Sequence, residues 1–508
     1  MTLPDLGSAK YNSRAALLGY LAVLAFGAFA FFYRLGELPL APWDEARLAN
    51  NALEMAQNGH WLVTTFDGNV DTYNTKPPFL IWLMASAIRA FGATEWSVRL
   101  PSAIAAMGSC LILYAFCAHY LRRTLAGVFA ALALMSSFSY LYFHAARAGD
   151  YDSMLTFLTT GYLVAAFLYL EPAHGRLLWL ALASVAVILA FLTKTVQGLI
   201  FLPAVGVYAW YRGRLGTVLR TPAVYIAVAL TVGVCAGYYV LREQVDPGHF
   251  AITLRNDILG RYATVIEGHQ GGFFWYRYVL QRVPWVPLAV VLAAFTFRAG
   301  DDVERRITGY LAGSAFFYLL VISSAKTKLF WYVLPLFPLF ALIIAVGVAP
   351  VARMTPRLSK VSHTTRMRLA FAALCATSLL VVMQNYRVIR ENERAWANSL
   401  PDQYSLFLRT LPHVLPRVRT FAVVHPGYPP SFGPRSDFYV APALFYVNVL
   451  RKAGYDIAIV PPEAELPPRY STLVACGDVA LVLRRRTRLY TEYVAGGCRL
   501  LRRDTAYE

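Results

Sequence analysis

Residues 40 to 78 read LAPWDEARLANNALEMAQNGHWLVTTFDGNVDTYNTKPP and carry Asp44, Glu45, Arg47, Glu54, Asp67, Asp71 and Lys76. Only 15% of the chain is charged, so this stretch concentrates charge. Ionisable groups are costly beside a bilayer, and a cluster of them there marks a functional site. Between Trp43 and Asn58 the apolar residues Leu48, Ala52, Met55 and Ala56 recur at helical spacing, so Asp44 and Arg47, three apart, share a helix face. More such groups follow: Arg147, Asp150 and Asp152, then Lys194, then Lys326 and Lys328 with Tyr332 a helical turn later. Cations at an apolar surface suit an anionic headgroup, above all a phosphate. A carboxylate among them can orient or deprotonate an attacking group. Spacing alone fits either group transfer on a lipid phosphate or a transporter that binds one.

The elements that must position these groups are membrane helices. The chain has 508 residues and is 57% hydrophobic, with apolar runs long enough to span a bilayer. A first run, Ala15 to Tyr33, is too long for a signal-peptide core and has no clean cleavage site, so it reads as a retained helix. Further spans are expected at 99–121, 124–143, 152–170, 177–192, 196–211, 223–241, 276–297, 307–323, 329–349 and 367–385. The fold class is a polytopic α-helical membrane protein of about 11–13 spans. The run 78–91 is short for a span and reads as an interfacial or re-entrant helix. Net charge is +18, with the basic residues in short clusters between apolar runs. That is a topology signal, and no nucleic-acid partner is expected. Arg122, Arg123, Arg176, Arg212, Arg214, Arg220, Arg298, Arg305, Arg306 and 353–368 fall on one side, which places the N-terminus in the cytoplasm. The charged clusters at 40–78, 147–152, 193–195, 242–275 and 326–328 then share the outer face.

Domain boundaries follow composition. Residues 1–386 form a transmembrane domain that includes a first outer loop, 34–98, and a long outer loop, 242–275. Residues 387–508 are richer in proline and charge and form a small soluble α/β domain. Within it Thr420 to His425 reads as a strand, Ala441 to Ala453 as a helix ended by Gly454, and Asp456 to Val460 and Leu473 to Leu483 as strands. Cys476 and Cys498 would meet an oxidising compartment, where a disulfide is one of two outcomes.

Five motifs occur in order: Trp43-Asp-Glu-Ala-Arg47, Lys76-Pro-Pro78, Asp150-Tyr-Asp152-Ser-Met-Leu-Thr-Phe157, Leu192-Thr-Lys194 and Lys326-Thr-Lys-Leu-Phe-Trp-Tyr332-Val-Leu-Pro335. Together they resemble the bacterial lipid A aminoarabinose transferases, which belong with the protein O-mannosyltransferases in the C-type glycosyltransferase superfamily. The resemblance covers residues 15 to 350. It implies an inverting transfer from an undecaprenyl-phosphate sugar to lipid A or another envelope glycan, at the periplasmic face of the bacterial inner membrane. It also implies that Asp44 is the main catalytic carboxylate and that Asp152, or less directly Asp150, is a second acidic position. Arg47, Lys76, Lys326, Lys328, Tyr332 and Arg261 would hold the carrier phosphate.

One position departs from the pattern. Relatives carry a glutamate before the Lys-Pro, where this chain has Thr75. The resemblance therefore requires no cofactor here, and a divalent metal would rest on Glu267 and His269 alone. Two rival functions remain: a protein O-mannosyltransferase-like enzyme and a lipid-linked sugar transporter. A transporter concentrates ionisable groups near the midplane, whereas here the span centres are nearly free of charge.

Overall fold

The computed structural model describes residues 13–142, 144–171, 175–265, 285–354, 363–396, 400–429, 439–464, 469–486 and 489–503. Among these are eight helices long and apolar enough to cross a membrane: Ser13–Phe32, Glu95–Tyr120, Tyr151–Leu170, Arg176–Leu199, Pro222–Val245, Asp302–Ser324, Phe330–Val351 and Ala372–Glu391. Three shorter apolar helices, Phe79–Phe91, Thr124–Met135 and Val286–Ala299, accompany them. The 13 residues of Phe79–Phe91 rise about 20 Å, short of a hydrocarbon core.

Two expected spans are corrected. The helix at 124 ends at Met135 instead of running to 143: Ser137 leaves the helical conformation at φ −80°, ψ 106°, and the Ser136 and Ser137 hydroxyls at this break donate to the Ala133 carbonyl. The expected 196–211 span starts as a tight turn, Thr195–Leu199, and becomes α-helical only at Leu202. Thr195 sits at φ 49°, a costly conformation for a β-branched residue. Gly198 lets the turn fold under the preceding helix: a Cβ there would lie 2.5 Å from the Ala190 carbonyl.

The chain packs as two compact units. The first comprises 1–33, 74–80 and 100–388, and the second comprises 34–73, 81–99 and 389–508. Composition placed 34–98 with the spans; most of it packs instead with the C-terminal residues. The reason is a set of buried polar contacts inside the second unit. Asn50 Nδ2 donates to the Ala441 carbonyl at 2.8 Å, the Tyr446 hydroxyl to Glu95 at 2.8 Å, and Arg409 to the Glu37 carbonyl at 2.6 Å. Arg99 forks onto Glu45 at 2.7 and 2.9 Å and donates to the carbonyls of Leu35, Leu38 and Pro39. Glu45 is thus a structural anchor for the segment that leads into helix Asp44–Asn58.

Residues past that helix form a small hairpin, β1 (Thr65–Phe66) and β2 (Asn69–Val70). Asp67 and Gly68 both have positive φ at its turn, the geometry that Asp-Gly favours. The remaining strands are β3 (Thr420–Val424), β4 (Asp456–Val460), β5 (Thr472–Cys476), β6 (Leu489–Ala495) and β7 (Cys498–Arg503). They form one sheet in the order β4-β3-β5-β7-β6. β3 pairs in parallel with β4 and β5, while β7 runs antiparallel to both β5 and β6. The expected strand 473–483 is half wrong. It stops at Cys476, and Gly477, at φ 59°, starts helix Gly477–Arg486. Cys476 and Cys498 lie opposite each other in the β5–β7 ladder and are joined as a disulfide.

His425 lies just past β3 and is buried, its ring against Tyr404 at 4.6 Å. Its Nδ1 accepts from the Gly427 amide, and burial pulls the imidazole down to about 4. A depressed folded value makes stability complete above the unfolded value near 6.5 and progressively lost as pH falls toward 4. Unfolding of the second unit, followed by tryptophan fluorescence in the full chain, should therefore occur at lower temperature at pH 4.5 than at pH 7.5. His425→Gln should flatten that dependence.

Candidate functional site

In the first unit the candidate site residues gather at one end of the helices. Helix Tyr151–Leu170 starts where helix Arg176–Lys194 ends, so Asp152 at one N-terminus meets Lys194 at the other C-terminus. Lys194 Nζ donates to both carboxylate oxygens of Asp152, at 2.6 and 2.7 Å, and both residues are buried. The same ammonium lies 5.5 Å from the centre of the Tyr332 ring. Tyr332 belongs to a tight helical turn, Phe330–Leu336, and its hydroxyl accepts from Arg261 Nη1 at 2.9 Å.

Arg261 also reaches Asp257 at 3.1 Å, an i,i+4 pair along one helical run. Lys76 Nζ stands 4.0 Å from the same carboxylate and 5.3 Å from the Tyr151 ring centre. Burial alone would raise the Asp257 carboxyl, but Lys76 and Arg261 override it and hold it below its usual range. A chain of contacts thus links Lys194, Tyr332, Arg261, Asp257 and Lys76. Thr75 donates its hydroxyl to Asp257, so the residue in place of the expected glutamate joins this network. Lys326 and Lys328 follow helix Asp302–Ser324; Lys326 is exposed, and Lys328 is nearly buried. Their segment is tied down by bonds from Lys326 N to the Tyr262 carbonyl and from Thr327 N to that of Arg261. Glu267 and His269 lie outside the described residues.

Asp150 caps helix Tyr151–Leu170 by accepting from the Tyr151 amide. It is buried against His144, whose imidazole outweighs the effect of burial and keeps the carboxyl below its usual range. Arg147 donates to the carbonyls of Ala30 and Tyr33, at the end of the first helix.

In the second unit Asp44 is the first residue of helix Asp44–Asn58 and is partly exposed. Trp43 before it takes φ 69° and stacks on Tyr439 at 4.8 Å, which fixes the direction in which the helix starts. Arg47, one turn on, is 4% exposed. It forks onto Asp71 at 2.9 and 2.6 Å, reaches the Tyr439 hydroxyl at 3.1 Å, and lies over the Phe66 and Tyr73 rings. Asp71 also accepts from Asn51 Nδ2 and from the Tyr73 amide. This geometry makes Arg47 the fastening of 64–73 to the helix. Arg47→Ala would leave Asp71 buried without its charge partner, and a loss of about 3–5 kcal/mol is expected in thermal unfolding of the full chain.

Sequence reading missed His144, Asp257 and Tyr439, and gave Asp71 no partner. Asp257 had a local signal, its spacing from Arg261. His144 lies six residues before its partner Asp150, whereas Asp71 and Tyr439 reach Arg47 only through tertiary contact.

The segment 75–239 matches the family described as dolichyl-phosphate-mannose-protein mannosyltransferase. A curated relative from Pseudomonas savastanoi, an undecaprenyl phosphate-alpha-4-amino-4-deoxy-L-arabinose arabinosyl transferase, is 28% identical over 74% of this chain and 69% of its own length. A protein of the same name from Aeromonas salmonicida is 29% identical over 63% of this chain and 58% of its own length. Among solved structures, ArnT from Cupriavidus metallidurans bound to undecaprenyl phosphate aligns with a TM-score of 0.70 at 16% identity, over 97% of this chain and 99% of the other. The Archaeoglobus fulgidus oligosaccharyltransferase aligns with a TM-score of 0.56 at 12% identity, over 92% of this chain and 70% of the other.

Proposed function

We propose that this chain is an ArnT-like membrane glycosyltransferase that moves a sugar from undecaprenyl phosphate to lipid A or another envelope acceptor, with inversion at the sugar C1, as its similarity to the arabinosyl transferases and its fold support. The observation that carries this reading is the chain of contacts that links Lys194, Tyr332, Arg261, Asp257 and Lys76 in the first unit. When the C1–O bond breaks, its electron pair stays on the carrier phosphate, whose negative charge grows. Fixed cations then stabilise the transition state more than the ground state. Asp257 and Asp152 hold those cations in place before substrate arrives, so little reorganisation is left for the chemical step.

In this proposal Lys326 and Lys328 add charge near the carrier, and Asp152 serves chiefly to position Lys194. Asp44 takes the proton of an attacking hydroxyl, or orients the acceptor if that is itself a phosphate. The alternation of basic loops supports a bacterial inner-membrane location, with the N-terminus in the cytoplasm and the second unit in the periplasm.

Mass spectrometry of lipid A and envelope glycans from wild-type and deletion strains tests the reading. The deletion should lack one sugar-sized mass that the gene restores. Unchanged masses on lipids, glycans and glycoproteins alike would remove the proposal.

A further inference from the structure

The opposite end of the same helices carries a second, unassigned set of cations. Helix Tyr151–Leu170 separates them from Asp152 by about 30 Å of rise. There Glu171 is buried and accepts from Arg212 at 2.8 Å and from the Tyr208 hydroxyl at 2.9 Å. Arg306 Nε approaches Glu171 to 3.5 Å without completing a hydrogen bond. Arg305, 46% exposed, has only a loose pairing with Asp302 at 3.9 Å. Three arginines against two carboxylates leave one positive charge.

These arginines form the mouth of a cavity of about 740 Å³ between helices Leu202–Tyr211 and Asp302–Ser324. That is the size range of ligand sites. Its floor is apolar and shaped by Gly309 and Gly313, where a Cβ at Gly313 would meet nothing within 4 Å. Phe316, 65% exposed, forms one wall. Ser314 also lines the cavity; it is 1% exposed, and its Oγ has no hydrogen-bond partner.

We propose that this groove binds one anionic glycerophospholipid, with its phosphate at Arg305 and Arg306 and one acyl chain along Gly309, Gly313 and Phe316. Charge and shape both select it. A phosphodiester carries the single negative charge that the mouth lacks, and an unbranched chain fits a glycine-floored trough. The Gly-xxx-Gly spacing would also accept a helix of a second copy. A two-fold contact there would set one arginine cluster against another, which disfavours that occupant. The inference stands apart from the transferase reading, because it concerns lipid retention alone.

Native mass spectrometry of the full chain, released from detergent with dioleoyl-phosphatidylglycerol or dioleoyl-phosphatidylethanolamine, tests it. The wild type should retain one phosphatidylglycerol at least ~tenfold more tightly than phosphatidylethanolamine, with no competition from millimolar inorganic phosphate. Arg305→Gln and Gly313→Phe should each weaken retention, and together abolish it. Equal retention of the two lipids would overturn the proposal, as would displacement by phosphate or undiminished retention in the double variant. Wild-type dimers lost in Gly313→Phe would overturn it in favour of a second copy. The wild-type lipid comparison stands even if a variant fails to fold.

Discussion

Asp44→Asn is expected to lower sugar transfer by about 10²–10⁴-fold, the usual worth of a positioned acid–base group, with the protein still folded and abundant in the membrane. The substitution keeps size and removes only the charge and the ability to accept a proton. Asp44 begins a helix whose next turn is fastened by Arg47 to Asp71 and whose entry is fixed by the Trp43–Tyr439 stack. Its own side chain is partly exposed. It is therefore a carboxylate on a rigid mount whose removal should disturb packing little. Transfer of a labelled sugar to extracted acceptor lipid, measured beside melting temperature, separates the cases. A fall in kcat at unchanged KM marks a base, whereas a rise in KM alone marks an orienting group. Full activity would take Asp44 out of the mechanism.

The second large effect is expected at Asp152 and Lys194. Both are buried and joined at 2.6 and 2.7 Å. Removing one member leaves an uncompensated charge in a low-dielectric interior and costs about 3–5 kcal/mol. Asp152→Ala or Lys194→Met should thus lower the melting temperature clearly. The double change Asp152→Leu with Lys194→Met replaces the pair with apolar bulk and should recover most of the stability. Activity should behave differently. Lys194 lies over Tyr332 among the cations assigned to the carrier phosphate, so the double variant should melt normally and remain at least ~100-fold less active. Recovery of both stability and activity would make the pair purely structural.

Much of this protein was legible in the residues. Hydropathy gave the membrane class because each span must satisfy its backbone internally and bury apolar surface along its whole length. The strand Asp456–Val460, the helix from Ala441 and its stop at Gly454 follow from local pattern, and the structure has them where expected. Where local rules compete, reading failed. Leu473 to Leu483 is apolar enough for one strand, yet a glycine at positive φ splits it into strand and helix. The span at 124 is cut short where the backbone leaves the helix at Ser137, with no glycine or proline in 124–143 other than Gly127 to announce the break.

By itself, then, the sequence determined the membrane class, the α/β character of the C-terminal residues, and the types of groups available for phosphate chemistry. It named Asp44, Asp152, Lys76, Arg261 and Tyr332 without saying what each one touches. The tertiary structure alone decided that Lys194 is held by Asp152 and that Asp257 draws in Lys76. It also decided that Arg47 fastens a loop through Asp71, and that 34–73 packs with the C-terminal residues. The physical reason is common to all of these. Hydropathy and helix period are properties of neighbours along the chain, whereas a buried charge is settled by whichever opposite charge the fold brings within about 3 Å. That partner can lie anywhere in the sequence.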